Sequence, residues 1–220
     1  MLHCSVMLIR WHGHSCFEFG CDDGTIVLDP HDGKSLGIKA PAPAGASVVL
    51  MTHDHYDHSA SRVICGDFKE YVGRTGKFKS GPFEIEGLPS YHDEEQGAKR
   101  GVNTMYRFEM DGISVCHCGD LGAIPDKKVI DKIRNIDILF VPVGANYTME
   151  LPEVREFINL VDPKVIVPMH YRVFGLCIAV LPLDDFLQMV PAENVDYVGN
   201  EIDLSPEELP EHSECWVFDR

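Results

Sequence analysis

Residues 51–59, MTHDHYDHS, set three histidines and two aspartates directly behind the apolar run Val48-Val49-Leu50. The run is short enough for one buried strand, so the polar cluster falls where a strand exits into a loop. In an extended stretch alternate residues share a face, which sends His53, His55 and Asp57 one way, while a turn after Tyr56 swings His58 to an adjacent point. Imidazole nitrogen and carboxylate oxygen suit Zn, Fe or Mn, and one such loop can serve two metal ions. A solvated polar turn would account for one histidine, but poorly for three beside two aspartates.

Outward from this loop, short apolar segments between turns predict strands over 7–10, 15–19 and 25–28, the last two joined by Gly20-Cys21-Asp22-Asp23-Gly24. The loop Pro41-Ala42-Pro43-Ala44-Gly45 leads into a buried strand over 47–51. Further strands are expected over 83–88, 103–109 and 113–117, with Asp111-Gly112 as the turn between the last two. Helices over 126–134, 150–160 and 183–189 then alternate with strands over 138–143 and 164–167. This order predicts one domain spanning residues 1–220, of the α/β class, with two sheets and helices packed outside them. Four strands run toward a ligating residue: 47–51 toward His53, 83–88 toward His92, 113–117 toward Asp120 and 164–167 toward His170. Strand ends are where side chains distant in sequence meet at one cleft.

Hydrophobic residues make up 45% and charged residues 25% of the 220, ordinary globular proportions that exclude disordered and fibrous classes. The formal charge of −16 works against nucleic acid and anionic membranes as partners and leaves a small-molecule substrate. A bound metal can reverse the field locally, so small anions stay within reach. Apolar runs such as Ile138-Leu139-Phe140-Val141 are too short to cross a bilayer, and Met1-Leu2-His3-Cys4 lacks an export signal's pattern, so a cytoplasmic protein is expected. Its eight cysteines are then expected to be reduced, most of them small buried hydrophobes. Cys116-His117-Cys118 admits a soft-metal reading. In a strand, however, its sulfurs share one face with His117 on the other, and no second cysteine pair completes a tetrahedron, so a structural role is favoured.

The pattern H-x-H-x-D-H behind a buried strand resembles the signature of the metallo-β-lactamase superfamily. GLPSYHDE (87–94), CHCGDLG (116–122) and VIVPMHY (165–171) supply His92, Asp120 and His170 in that superfamily's order. WHGHSCFEF (11–19), VLDPHDG (27–33), RGVNTMYRFE (100–109) and VPVGANYTM (141–149) are most similar to its L-ascorbate-6-phosphate lactonase-like branch of metal-dependent hydrolases. The resemblance covers nearly the whole chain and implies a four-layer αββα sandwich. It also implies that His53, His55 and His92 bind a first metal, Asp57, His58 and His170 a second, and that Asp120 bridges the two. Two divalent ions are thereby implied, Zn first, with Mn or Fe as alternatives. Asp57 and Asp120 would take part in catalysis, and Asp54 would sit beside the site to orient water and pass protons. Asp29 resembles a carboxylate that fixes a ligand histidine, the alternative being a turn former before Pro30. His14 resembles a residue near the cleft, or else is a buried histidine bonded to backbone. Tyr147 and Tyr171 either line the pocket or pack in the core, and Trp11 and Trp216 are expected to pack.

Metal-activated hydroxide attacking a small ester, lactone or phosphorylated metabolite is the chemistry this implies. No G-x-S-x-G elbow or phosphate-cradling loop offers another route. A small-molecule phosphodiesterase or a nuclease of the same fold is the alternative. The intervals from His92 to Asp120 and from Asp120 to His170 leave no room for the extra domain of nucleic-acid-processing relatives. A di-iron redox protein would need a flavin domain, and a metal-binding non-enzyme would need no intact ligand set. Related proteins assemble, so a homo-oligomer is expected, with no heptad seam to show how.

Overall fold

In the computed structural model, residues 6–43 and 45–219 are described. Cys4 and Ala44 of the predicted loop lie outside them. The chain opens with antiparallel strands β1 (Met7–Trp11), β2 (Phe17–Cys21) and β3 (Gly24–Leu28), the last two joined by the Asp22-Asp23 turn. The apolar run that precedes the histidine loop is β4 (Val48–Met51), parallel to β3, followed by β5 (Lys69–Val72). With β13 (Glu201–Leu204) on the far edge, these form a six-stranded sheet ordered β13-β1-β2-β3-β4-β5.

The second sheet begins with the meander β6 (Gly76–Ser80), β7 (Phe83–Tyr91), β8 (Val102–Met110) and β9 (Ile113–His117). It then turns parallel through α1 (Lys127–Ile133), β10 (Ile138–Pro142), α2 (Leu151–Val161) and β11 (Val165–Met169). After α3 (Leu183–Leu187) come β12 (Val195–Gly199) and, past β13, β14 (Glu214–Phe218), completing the order β12-β14-β11-β10-β9-β8-β7-β6. The wholly buried runs ILFVP in β10 and VIVPM in β11 are what central parallel strands covered on both faces demand.

The two sheets face each other across an aromatic core. Phe17 and Phe19 of β2 meet Phe140 of β10 edge-on at ring separations of 4.6 and 5.2 Å, and Phe19 meets Phe108 of β8 at 5.2 Å. Such T-shaped pairs add about 0.5–1.5 kcal/mol each beyond area burial. All three α-helices lie in connections of the eight-stranded sheet. α2 buries Val154, Phe157 and Val161 at helical spacing, and Glu150 and Glu153 form a capping box at its start.

The two-sheet sandwich agrees with the sequence, and among the described residues turns rather than α-helix cover the outer face of the six-stranded sheet. Val27, Val49 and Met51 point there and pack with Cys16, Ala46 and Ile64 beneath the 3-10 turn Ser61–Val63. Strands β5, β12 and β13 are largely exposed edges or partners of edges, with little of the apolar alternation that betrays a half-buried strand. Among the described residues no helix is long and apolar enough to cross a membrane.

Candidate metal centre

β4, β7, β9 and β11 deliver His53, His92, Asp120 and His170 to one cleft. The side chains offer three overlapping groups whose ligand atoms lie within 4.8 Å of one another: His53, His55 and His92; His53, His58 and Asp120; and His14, Asp57, His58 and His170. Asp120 stands between them. Its Oδ2 is 3.2 Å from Nε2 of both His92 and His170 and 3.8 Å from Nε2 of His53, while its Oδ1 is 3.1 Å from Nε2 of His58.

Alternation along the loop stops at His55. The His58 amide donates to the His55 carbonyl at 2.9 Å, and the Ser59 hydroxyl donates to the same oxygen, closing a turn. Asp57 therefore does not project with His53 and His55, as an extended strand would require, but joins His58 on the other side of the cluster. The turn divides one short segment between two adjacent groups.

The histidines are aimed by a layer behind them. Asp29, fully buried, accepts the His58 Nδ1–H at 2.9 Å, the Thr52 amide at 2.7 Å and the Thr52 hydroxyl at 2.8 Å. The Thr52 hydroxyl oxygen in turn accepts from His53 Nδ1 at 3.0 Å. Both imidazoles thus hold a proton on Nδ1 and turn Nε2 toward Asp120, leaving Nε2 as the nitrogen that a cation would take from each. Asp29 therefore bonds a histidine of the cluster and is more than a turn former before Pro30. The Asp120 amide is fixed by donation to Asn103 Oδ1 at 3.1 Å, and Asn103 also binds Ser90 and the Cys118 carbonyl.

Two glycines explain the spacing of Gly-Asp-Leu-Gly. Gly119 has φ +57, and a Cβ there would lie 2.4 Å from Asn103 Oδ1. At Gly122 a Cβ would come within 2.2 Å of the His92 carbonyl carbon, so only glycine lets this loop pack against the backbone carrying His92.

Electrostatics marks the cluster as a cation site. Burial alone would raise Asp120, yet the positive charges of His170 and His58 beside it hold it well below the usual carboxylate range. Burial likewise opposes ionisation of Asp57 and Asp29, but His58 and its neighbours keep both low. Three ionised carboxylates in so small a volume need positive charge nearby. His58 supplies some: against its burial, Asp120, Asp57 and Asp29 raise it well above an ordinary histidine. His53 and His14 are pushed down to about 3, first by burial and then by His58 and His170 respectively, and so stay neutral. Nε2 of His53 and His58, Oδ1 of Asp120 and Nδ1 of His14, His92 and His170 are buried without a hydrogen-bond partner. The His58–Asp120 pair at 3.1 Å is close but misaligned for a hydrogen bond. Of these, Nε2 of His53 and His58 and Oδ1 of Asp120 belong to residues whose ligand atoms gather within 4.8 Å of one another, and unpartnered buried atoms so gathered are what a divalent cation satisfies, so the residues fit a metal.

A cavity of about 500 Å³ opens onto the cluster between Tyr56, Arg100, Tyr147 and the 177–179 segment. His14, left open between cleft and core on sequence grounds, is buried with Nε2 3.2 Å from Asp57 Oδ2 and its ring 4.2 Å from that of His170. Asp54 is exposed, between two inward-facing histidines. Tyr147 lines the cavity, whereas Tyr171 is a core residue donating to the Phe218 carbonyl at 3.1 Å. Trp11 packs against Phe17 and Tyr171. Cys116 and Cys118 are buried free thiols. His117 is fully committed, accepting from the Gly119 amide on Nδ1 and donating to the Ser15 carbonyl from Nε2 at 2.9 Å. Among the described residues no cysteine enters a metal-capable group.

The chain is similar to known proteins. A family model described as a beta-lactamase superfamily domain matches residues 8–170. A Thermotoga maritima crystal structure, of a proposed Zn-dependent hydrolase of the metallo-β-lactamase superfamily, is 35% identical, with a TM-score of 0.78 over 96% of this chain and 98% of its own. Proteins named UPF0173 metal-dependent hydrolase are 29% identical in Methanopyrus kandleri, over 76% of this chain and 85% of the relative, and 28% in Archaeoglobus fulgidus, over 86% and 93%. Two facing sheets, histidines and aspartates gathered at their ends and a match over most of the chain lead to one conclusion: it belongs to the metallo-β-lactamase superfamily.

Proposed function

We infer that the protein is a metal-dependent hydrolase whose cluster holds two divalent cations and cleaves a small ester, lactone or phosphorylated metabolite. The observation that carries this is Asp120, whose one carboxylate reaches histidines of both groups inside an open cavity. The names of the Thermotoga, Methanopyrus and Archaeoglobus relatives support the reaction class. In this reading His53, His55 and His92 hold one cation, Asp57, His58 and His170 the other, and Asp120 both. Zinc is the first candidate for this nitrogen and oxygen donor set, with Mn or Fe also suited. The cations would supply Lewis acidity, lowering the pKa of a water and polarising the oxygen of the scissile group.

The chain's own residues do the rest. Asp29 and Thr52 hold the His58 and His53 rings so that no reorientation is needed when substrate arrives. Asp57, next to His14 and His58, remains ionised and can accept a hydrogen bond from the attacking water. Asp54, on the exposed side of the loop, passes the released proton to solvent. Arg100 is the only lysine or arginine lining the cavity among the described residues, so a small substrate suits it better than a nucleic acid backbone. The lactonase-like motifs place lactones first in the panel.

Chelator-stripped protein reloaded with Zn, Mn or Fe, and assayed on lactones, carboxylic esters and bis-p-nitrophenyl phosphate, tests the reading. Metal-restored turnover on a lactone or ester is the expected result. Turnover confined to the phosphodiester would move the protein to the phosphodiesterase class, and turnover of nothing would leave a metal-binding protein without this chemistry.

A further inference from the structure

Directly after His92, the buried carboxylate of Asp93 organises the next seven residues. Its Oδ1 accepts the amides of Glu95 and Gly97 at 2.8 and 2.9 Å, and its Oδ2 those of Lys99 and Arg100 at 3.0 and 2.7 Å. Four charge-assisted bonds to one side chain fix this loop as a cup beside the cleft. Its last residue, Arg100, faces the cavity that opens onto the His/Asp cluster. The guanidinium donates from Nη2 to the Asn146 carbonyl at 3.1 Å and sits 5.6 Å from the centre of the Tyr147 ring. Asn146 is in turn tied to the Ala179 carbonyl on a third wall.

Arg100 has no carboxylate partner among the described residues. The two acids nearest in its loop, Glu94 and Glu95, are both taken by Lys99, at 2.7 and 2.9 Å. In a chain with a net charge of −16, the Arg100 guanidinium is partly buried and held by backbone and ring, and most of its five donors stay unused. Lys99 pairs with both acids, Asp93 fixes the Arg100 backbone amide, and Asn146 and Tyr147 hold its side chain. What remains is a planar fork aimed into a cavity about 500 Å³ in volume.

We propose that Arg100 anchors an oxyanion, a carboxylate or a phosphate, on a small substrate whose scissile group lies at the His/Asp cluster. The inference rests on the hydrolytic reading for the scissile end alone. It makes Arg100 a specificity residue, selecting substrates that carry negative charge at the end remote from the bond being cleaved. Bidentate geometry also predicts that lysine, a point charge, replaces it only in part.

Two-headed acids test this without requiring turnover. Calorimetric affinities of the zinc-loaded full-length protein are measured for butyrate, glutarate and 3-phosphonopropionate at one fixed ionic strength, one acid group occupying the cluster and the second reaching toward Arg100. Glutarate or 3-phosphonopropionate is expected to bind at least about 10-fold tighter than butyrate, the size of one charge-assisted contact. The better of the two identifies the substrate's anion as carboxylate or phosphate. Arg100→Gln should bring that ratio close to one, and Arg100→Lys should leave an intermediate value, with zinc content equal in all three proteins. A ratio near one in the wild type, or an undiminished ratio in Arg100→Gln, overturns the proposal. Failure to hydrolyse any ester while the ratio persists would remove the hydrolytic reading and leave the anion anchor standing.

Discussion

Replacing Asp29 by asparagine perturbs the cluster without touching a candidate ligand. Asparagine keeps the shape and tolerates the positive φ of +46 at this position, so the backbone is not the variable. One amide oxygen still accepts from the Thr52 N–H, but an NH2 group now faces the Thr52 hydroxyl and the His58 Nδ1–H, both of which donate to Asp29 at 2.8 and 2.9 Å. Two donors cannot share that space. For His58 in the neutral form that ligation requires, the cheapest escape is to move its proton to Nε2, the nitrogen that lies 3.1 Å from Asp120 and 3.4 Å from Asp57 and that must carry a lone pair to bind a cation. Losing such support costs about 10- to 100-fold in metal affinity, or about 1.4–2.8 kcal/mol. Asp29→Ala would instead leave three buried donors unpartnered, at about 1–3 kcal/mol each, and would damage the fold itself. Chelator competition gives the zinc affinity of wild type and Asp29→Asn, and urea unfolding of the stripped proteins separates binding from stability. Wild-type zinc affinity in a folded Asp29→Asn protein would refute the claim that this carboxylate sets the His58 tautomer.

Asp120→Ala and His55→Ala should each abolish hydrolysis and lower metal content, measured by turnover and elemental analysis; unchanged turnover in Asp120→Ala would remove its bridging role. Cys116→Ser, at a buried position outside every metal-capable group, should keep metal content and turnover near wild type while costing about 1 kcal/mol of stability in a denaturant titration. Loss of metal in that variant would restore the thiolate reading. Asp137 gives a pH test away from the cluster. Burial opposes its ionisation, but Lys164 and the Ser114 hydroxyl and amide hold its folded pKa below the ordinary 3.8. A depressed carboxylate stabilises the fold above its unfolded pKa and loses that contribution as pH falls toward the folded value. The stability of Asp137→Asn, followed by unfolding between pH 5 and 2, should therefore decline less steeply than that of wild type.

The histidine loop was legible because β4 is an unbroken apolar run, and burial on both faces of a central strand leaves no other composition. His92, Asp120 and His170 were legible as strand exits, since the strands before them carry clear apolar patterns. The pairing of Asp57 was not available from alternation, because the His58 amide closes a turn on His55 that no periodicity announces. Edge strands such as β5 escaped for a related reason: with almost every side chain in solvent, their sequence has no buried face to record. Among the described residues the 52–68 segment covers the six-stranded sheet with turns held by local hydrogen bonds, which carry no amphipathic stripe for the sequence to display. The sequence shows Arg100 only as the first residue of RGVNTMYRFE and gives it no role, because its position is dictated by side-chain-to-backbone bonds from Asp93, which leave no repeating signal. Its chemical role shows only when the loop is seen folded beside the cleft.

The central claim is that seven side chains scattered from residue 53 to residue 170 enclose a pair of cations. Anomalous diffraction at the zinc edge, from crystals of the zinc-loaded protein, tests it most directly. Two peaks are predicted, one within bonding distance of His53, His55 and His92 and one within bonding distance of Asp57, His58 and His170, with Asp120 contacting both. A fully loaded protein with a single peak, or with its zinc elsewhere on the surface, would contradict the account.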